Sequence, residues 1–301
     1  MRNIDEHTIT EAVIRSLDAC DNPRLKQILT SLVTHLHDFA RDVQLTEAEW
    51  MEGIRFLTCT GQMCSDTRQE FILLSDTLGL SMLTVALNNA RSDGATEATV
   101  FGPFHVDDAP KAEQGADIAA GAPGRALQVD ALVTWLDGTP IAGAEVDVWQ
   151  ADEDGLYDVQ IASLGGQRRA RAVLKTDAEG RLRFRTVIPT AYPIPTDGPV
   201  GRMLVASGRH PWRPAHIHFM IKAPEHETLI THLFREGDPY LDSDAVFGVR
   251  RSLVVKIEPD ASPRAGRPSS IAVLRHTFVL DRVGEPGADR PGERSSGTPS
   301  P

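Results

Sequence analysis

The stretch RPAHIHF, residues 213–219, places two histidines one residue apart inside an apolar run. Ile217, Phe219 and Ile221 alternate with His216, His218 and Met220, which is the period of a β-strand. Both imidazoles then project from one face, close enough to grip one metal ion. Two ordinary histidines on a solvated strand face would show the same spacing. A second pair, His35 and His37, lies among Leu25, Ile28, Leu29, Leu32 and Leu36, which recur at helical intervals. Helix positions i and i+2 point to nearly opposite sides, so this pair cannot share a ligand.

A metal held by two histidines needs further donors. Cys20, Cys59 and Cys64 all lie in the other half of the chain. Their odd number and Cys-x4-Cys spacing fit neither a disulfide framework nor a zinc knuckle, so they read as free thiols. A cupin-type iron site would put a glutamate four or five residues after the second histidine, where Lys222 and Ala223 stand. Zinc held through Asp or Glu elsewhere in the second half stays open. The remaining oxygen donor is the phenolate. A free phenol has a pKa of about 10, so a phenolate at neutral pH needs a strongly acidic cation, and Fe(III) is one. The three tyrosines are Tyr157, Tyr192 and Tyr240. Tyr157 ends VDVWQADEDGLYD, a strand running into an Asp/Gly-rich loop. Tyr192, in TVIPTAYPIPTDGPVG, is flanked by prolines that fix the local backbone. For each, a tyrosine packed at a sheet edge is the simpler alternative, and Tyr240 in the acidic turn EGDPYLDSD keeps that reading.

These residues need a scaffold, and the chain changes character along its 301 residues. Up to about residue 95 it reads as successive helices. Asn22–Pro23 gives an N-cap and first-turn proline, Thr46 and Glu49 stand in capping-box register, and Gly79 interrupts an apolar stretch. Residues 100–125 have the Gly/Pro content of an ordered but irregular connection. Beyond 125 the period becomes two, in ALQVDALVTW, EVDVWQ, RLRFRTVI, HIHFMI, TLITHLF and RRSLVVKI, without helices between them. The fold class this predicts is α+β, with an N-terminal helical region (1–99), an antiparallel β-sandwich domain (100–283) and a disordered tail (284–301). The net charge of −11 argues against nucleic acid as a partner. With no long apolar span and no leader-like start, the expectation is a cytoplasmic protein without a membrane span.

Taken together, DGTPIAGAEVDVWQADEDGLYD, DAEGRLRFRTVIPTAYPIPTDGPVG and RPAHIHFMI, in this order and spacing, resemble the intradiol ring-cleavage dioxygenases. The resemblance spans most of residues 65–258. It implies one non-haem Fe(III) per subunit, held by Tyr157, Tyr192, His216 and His218 with a solvent hydroxide. In that family the tyrosine matching Tyr192 leaves the metal when substrate binds, so hydroxide and Tyr192 can accept the two protons that an aromatic diol must lose. Arg213 is placed to stabilise negative charge developing on the ring, a task suited to a permanently charged guanidinium.

The helical N-terminal region marks the catechol-type branch, whose subunits dimerise through such helices, with a bound lipid at the dimer interface as a further prospect. FILLSDTLGLSML followed by TVFGPFHVDDAP looks most like the hydroxyquinol branch. The resemblance carries substrate-pocket roles onto Leu73, Asp76, Val100, Phe101, Gly102, Pro103, Phe104, Ile194, Pro195, Arg213 and Val246. His232, in LITHLF, stands where plain catechol enzymes commonly have glutamine, and its role is not assigned. The partners expected are O2 and a small aromatic diol or triol. Two competing readings remain, catechol or a chlorocatechol as substrate, and a transthyretin-like sandwich that binds without catalysing.

Overall fold

The helix signals work locally as read. Helix α1 (Ile9–Ser16) is followed by α2 (Pro23–Asp42), whose N-cap Asn22 side chain accepts from the Leu25 amide at 3.0 Å. Before α3 (Glu47–Gln62), Thr46 and Glu49 exchange amide-to-side-chain bonds of 3.0 and 3.3 Å, a reciprocal cap. The structure is a computed structural model and describes residues 3–65, 68–259 and 271–282, so the expected tail at 284–301 lies outside the described residues. The chain divides into two compact units, one up to Gln62 and one from Met63. In the first, Arg41 of α2 donates to Thr10 Oγ1 and to the Glu6 carbonyl, tying α1 to α2. No residue of α2 is buried, and its stripe of Leu25, Ile28, Leu32, Leu36 and Phe39 is exposed.

The second unit begins with α4 (Glu70–Thr77) and α5 (Leu80–Asn88), separated at Gly79, whose φ of +76° no ordinary side chain adopts cheaply. Residues 100–125 form no helix or strand but are bridged to the sheets at Lys111–Val173 and Asp117–Arg185. The strands then follow: β1 (Ala126–Trp135), β2 (Glu145–Gln150), β3 (Arg171–Lys175), β4 (Arg181–Val187), β5 (Tyr192–Pro193), then helix α6 (Pro199–Ala206), β6 (Trp212–Arg213), β7 (His216–Lys222), β8 (Leu229–Arg235), β9 (Val254–Val255), β10 (Ile257–Pro259) and β11 (Ala272–Leu280). A four-stranded sheet, β10-β11-β1-β4, and a five-stranded sheet, β3-β2-β7-β8-β9, share one apolar core, and β5 pairs with β6 alone. Val129, Phe184, Ile217, Phe219 and Phe278 are among its fully buried residues.

Two features differ from the sequence expectation. The sheets are mixed rather than antiparallel, because β1 runs parallel to β11 and β8 parallel to β9. Period-two alternation reports which face a strand buries and carries no information on its partner's direction. Helix α6 interrupts the strands where TDGPVG reads as a turn. Gly198 and Pro199 do turn the chain, but they also start a two-turn helix that buries Val200 and Leu204. Among the described residues no single helix is long and apolar enough to cross a membrane.

Candidate active site

Strand β7 puts Ile217, Phe219 and Ile221 into the core and His216 and His218 on its other face. That face is covered as well, and both histidines are 1% exposed. The solvated-strand reading of the pair therefore fails. Trp149 of β2 stacks on the His218 ring, centroids 4.7 Å apart, and the loop at Gly102 closes over its edge. With φ +78°, and with any Cβ there falling 2.8 Å from His218 Cε1, position 102 admits glycine alone without rearrangement.

The two tyrosines arrive from separate directions. Tyr157 ends the loop after β2, and Tyr192 sits on β5 directly opposite Arg213 of β6. Phe104 stacks on the Tyr157 ring at 4.4 Å, and Arg171 secures that contact by donating to the Phe104 carbonyl while pairing with Asp158, the residue after Tyr157. Four donor atoms converge in a ring. Tyr157 Oη is 2.9 Å from His218 Nε2, which is 3.1 Å from His216 Nε2. His216 Nε2 is 3.5 Å from Tyr192 Oη, which is 3.3 Å from Tyr157 Oη. Tyr240, by contrast, stacks on Trp212.

The donor set fits a metal ion. Two ligands at about 2.0–2.1 Å from one ion lie roughly 2.9–3.4 Å apart for angles between right and tetrahedral, and three of the four separations fall in that range, the fourth lying 0.1 Å beyond it. The His216 Nδ1–H donates to the Pro214 carbonyl at 2.7 Å, which fixes the tautomer and leaves Nε2 a bare lone pair. Burial, reinforced by the Arg213 charge, lowers the His216 pKa to about 3, and burial drives those of His218 and His232 well below the ordinary value. The imidazoles are thus neutral, as ligands must be. Burial also pushes the Tyr157 phenol well above its usual range, so its phenolate needs a cation beside it.

Next to the ring lies a cavity of about 540 Å³. All eleven residues assigned to the substrate pocket border it: Leu73 and Asp76 from α4; Val100, Phe101, Gly102, Pro103 and Phe104 from the connection; and Ile194, Pro195, Arg213 and Val246. Tyr192 borders it too, whereas Tyr157, His216 and His218 do not. Leu73, Val100, Ile194 and Val246 are buried together in one apolar cluster, while Phe101 and Pro103 are exposed at the rim.

Other residues at the site were given no role by the sequence reading. Arg68, Glu70, His105 and Gln160 also line the cavity, and Asp147 accepts a 2.7 Å bond from His105. His232, opposite His218 in the β7–β8 register, is fully buried with neither ring nitrogen hydrogen-bonded. It packs edge-on against His218 and stacks on His216, and the backbone of Val100 is the one neighbour that favours its charged form. One of its nitrogens lies within 4.8 Å of one nitrogen each of His216 and His218. Asp244, the partner of Arg213, gave no sequence signal beyond an acidic turn.

A β-sandwich carrying a buried ring of two phenols and two imidazoles beside a largely apolar cavity defines a class of metal-dependent enzyme, and the comparisons agree with it. A family model described as "Dioxygenase" matches residues 100–282, and one described as "Catechol dioxygenase N terminus" matches residues 22–96. The chain is 63% identical over 254 residues to a 6-chlorohydroxyquinol 1,2-dioxygenase of Cupriavidus pinatubonensis, covering 84% of this chain and 92% of that protein. It is 56% identical over 288 residues to a hydroxyquinol 1,2-dioxygenase of Corynebacterium glutamicum, covering 94% of each. The crystal structure of a hydroxyquinol 1,2-dioxygenase from Pseudomonas putida DLL-E4 superposes with a TM-score of 0.85 at 48% identity, covering 92% of this chain and 98% of that one. The chain belongs to the intradiol ring-cleavage dioxygenases. It is therefore an enzyme, an oxidoreductase of a family that works with non-haem iron.

Proposed function

We propose that the chain opens benzene-1,2,4-triol (hydroxyquinol) with O2 between its adjacent hydroxylated carbons, in the catabolism of aromatic compounds. The product is 3-hydroxy-cis,cis-muconate, which tautomerises to maleylacetate. Tyr157, Tyr192, His216 and His218 hold one Fe(III) per chain in this reading. The observation that carries the substrate choice is Asp76, a carboxylate 7% exposed on the cavity wall beside the apolar cluster of Leu73, Val100, Ile194 and Val246. Catechol offers nothing to a carboxylate once its two hydroxyls face the metal, whereas the third hydroxyl of the triol can donate to it. The names of the relatives point the same way.

When bound, the ferric ion would supply Lewis acidity toward the two vicinal hydroxyls and so make the substrate ring electron-rich toward O2. The chain's own residues do the rest. Tyr192, on the cavity wall, accepts a proton from one substrate hydroxyl. Arg213 turns Nη1 toward Tyr192 and His216, where it meets negative charge gathering on the ring. The apolar wall excludes water and so strengthens both interactions. The exposed leucine stripe of α2 supports a homodimer built through the helical region 1–99, ahead of a catalytic region 100–283. A lipid bound at that interface and a cytoplasmic location complete the reading. Oxygen uptake on benzene-1,2,4-triol, catechol and a chlorocatechol, with iron analysis of the same sample, tests it. Faster turnover of either catechol overturns the substrate assignment, and an inactive, iron-free protein favours a binding module.

A further inference from the structure

Arg213 is 2% exposed, and a guanidinium removed from water must have its charge balanced and its donors met. Its nitrogens divide between Asp244 on one side and His216 with Tyr192 on the other. Nε donates to Asp244 Oδ1 at 3.1 Å and Nη2 to Oδ2 at 3.4 Å. Nη1 is left 3.2 Å from His216 Nε2 and 3.5 Å from Tyr192 Oη. The carboxylate is itself fixed, because Oδ1 accepts from the Val246 amide at 3.3 Å and Oδ2 from the Gly248 amide at 2.9 Å.

Those amides belong to a tight turn. The Phe247 amide donates to the Asp244 carbonyl at 3.0 Å, and Phe247 has a φ of +60°, an unfavourable backbone region for an aromatic residue. Thr99 Oγ1 closes the turn by donating to the Gly248 carbonyl at 2.8 Å. The same turn delivers Val246 to the cavity wall. The carboxylate of Asp76 borders the same cavity as Arg213.

We infer that Asp244 is the positioning residue for Arg213: it takes the Nε–Nη2 edge of the guanidinium and keeps Nη1 aimed at Tyr192 and the neighbouring substrate space. This rests on the reading of Arg213 as the group that faces the substrate. Asp244 touches no reactant, so its effect passes wholly through the arginine and the turn.

A double-mutant cycle on the iron-loaded protein tests it, read with benzene-1,2,4-triol. Arg213→Gln is expected to lower kcat by about a hundred- to a thousandfold. Asp244→Asn is expected to lower kcat by about ten- to a hundredfold with KM nearly unchanged, because a misaimed group costs rate rather than substrate binding. The double variant should be no slower than Arg213→Gln alone. Iron content should stay at the wild-type level in Asp244→Asn, while the visible tyrosinate-to-iron band shifts, since Nη1 leaves Tyr192. A gentler variant, Gly248→Ala, keeps both charges and puts a methyl 3.1 Å from Arg213 Nη2 and 3.2 Å from Asp244 Oδ2. It should lower kcat by about three- to tenfold. Fully additive effects, or an Asp244→Asn protein with wild-type kcat and an unmoved band, overturn the inference. Should Asp244→Asn fail to fold, an unchanged kcat in Gly248→Ala overturns it instead. A harmless Arg213→Gln shows that the reading of Arg213 itself was at fault.

Discussion

Replacing Asp76 by alanine separates a substrate-selecting carboxylate from a merely buried one. Burial raises the Asp76 carboxyl above its usual pKa, while the Ser81 hydroxyl and the Arg213 charge pull it back toward ionisation. The Ser81 hydroxyl and the Arg213 charge favour the ionised form, in which the carboxylate is a strong acceptor. A hydrogen bond to a charged group is worth about 1.5–3 kcal/mol, so the triol should exceed catechol by about ten- to a hundredfold in kcat/KM. In Asp76→Ala that ratio should fall to within a few-fold of one, with iron content and colour unchanged. The fold should tolerate the change. The folded carboxyl binds its proton more tightly than the unfolded one does, so its ionisation at neutral pH costs stability rather than adding it. Arg213 also keeps Asp244 as its partner. The assay is oxygen uptake on both substrates with wild type and variant side by side. A variant that retains the wild-type preference refutes the reasoning, as does a wild type that prefers catechol.

Tyr157→Phe and His218→Ala should each lose iron and the red-brown tyrosinate colour, measured by metal analysis and absorption, while Tyr240→Phe keeps both. Gly102→Ala meets both a positive φ and a 2.8 Å contact with His218 Cε1, so a stability loss of about 1–3 kcal/mol is expected. Calorimetry should record it as a melting-temperature fall of several degrees. Burial holds the His276 pKa down to about 4, and its Nε2 has no hydrogen-bond partner. The unfolded chain therefore takes up that proton first. The stability this residue provides is complete above about pH 6.5 and is lost as pH falls to 4, by up to about 3 kcal/mol. His276→Gln should flatten the melting curve's pH dependence across that window, and an equally steep dependence in the variant would count against the assignment.

That four donor side chains would come together was legible because each sits in distinctive local grammar. An alternating strand carries two histidines, a strand exit carries Tyr157, and a proline cage carries Tyr192. The helical start was legible for the same reason, since Asn22, Thr46 and Glu49 act on amides three residues away. What could not be read was nonlocal. Asp244 matters because β6 brings Arg213 beside it, and nothing in DSDAVFG announces a partner thirty-one residues back. His105 and Asp147, or Arg171 and Asp158, pair likewise across elements. Strand direction and the short helix α6 were missed because neither is encoded in side-chain alternation.

The parallel pairing of β1 with β11 orders events during synthesis. Leu127 waits for Ala272 and Trp135 for Leu280, so one side of β1 has no neighbour until nearly the whole chain has left the ribosome. Such distant pairing makes folding slow, because a long loop must close before the contact stabilises anything. Until then β1 is a bare, apolar edge able to recruit a strand from another nascent chain. Yield of soluble enzyme should thus depend on translation finishing promptly, and a chain cut before residue 272 should aggregate although every proposed metal ligand is present in it.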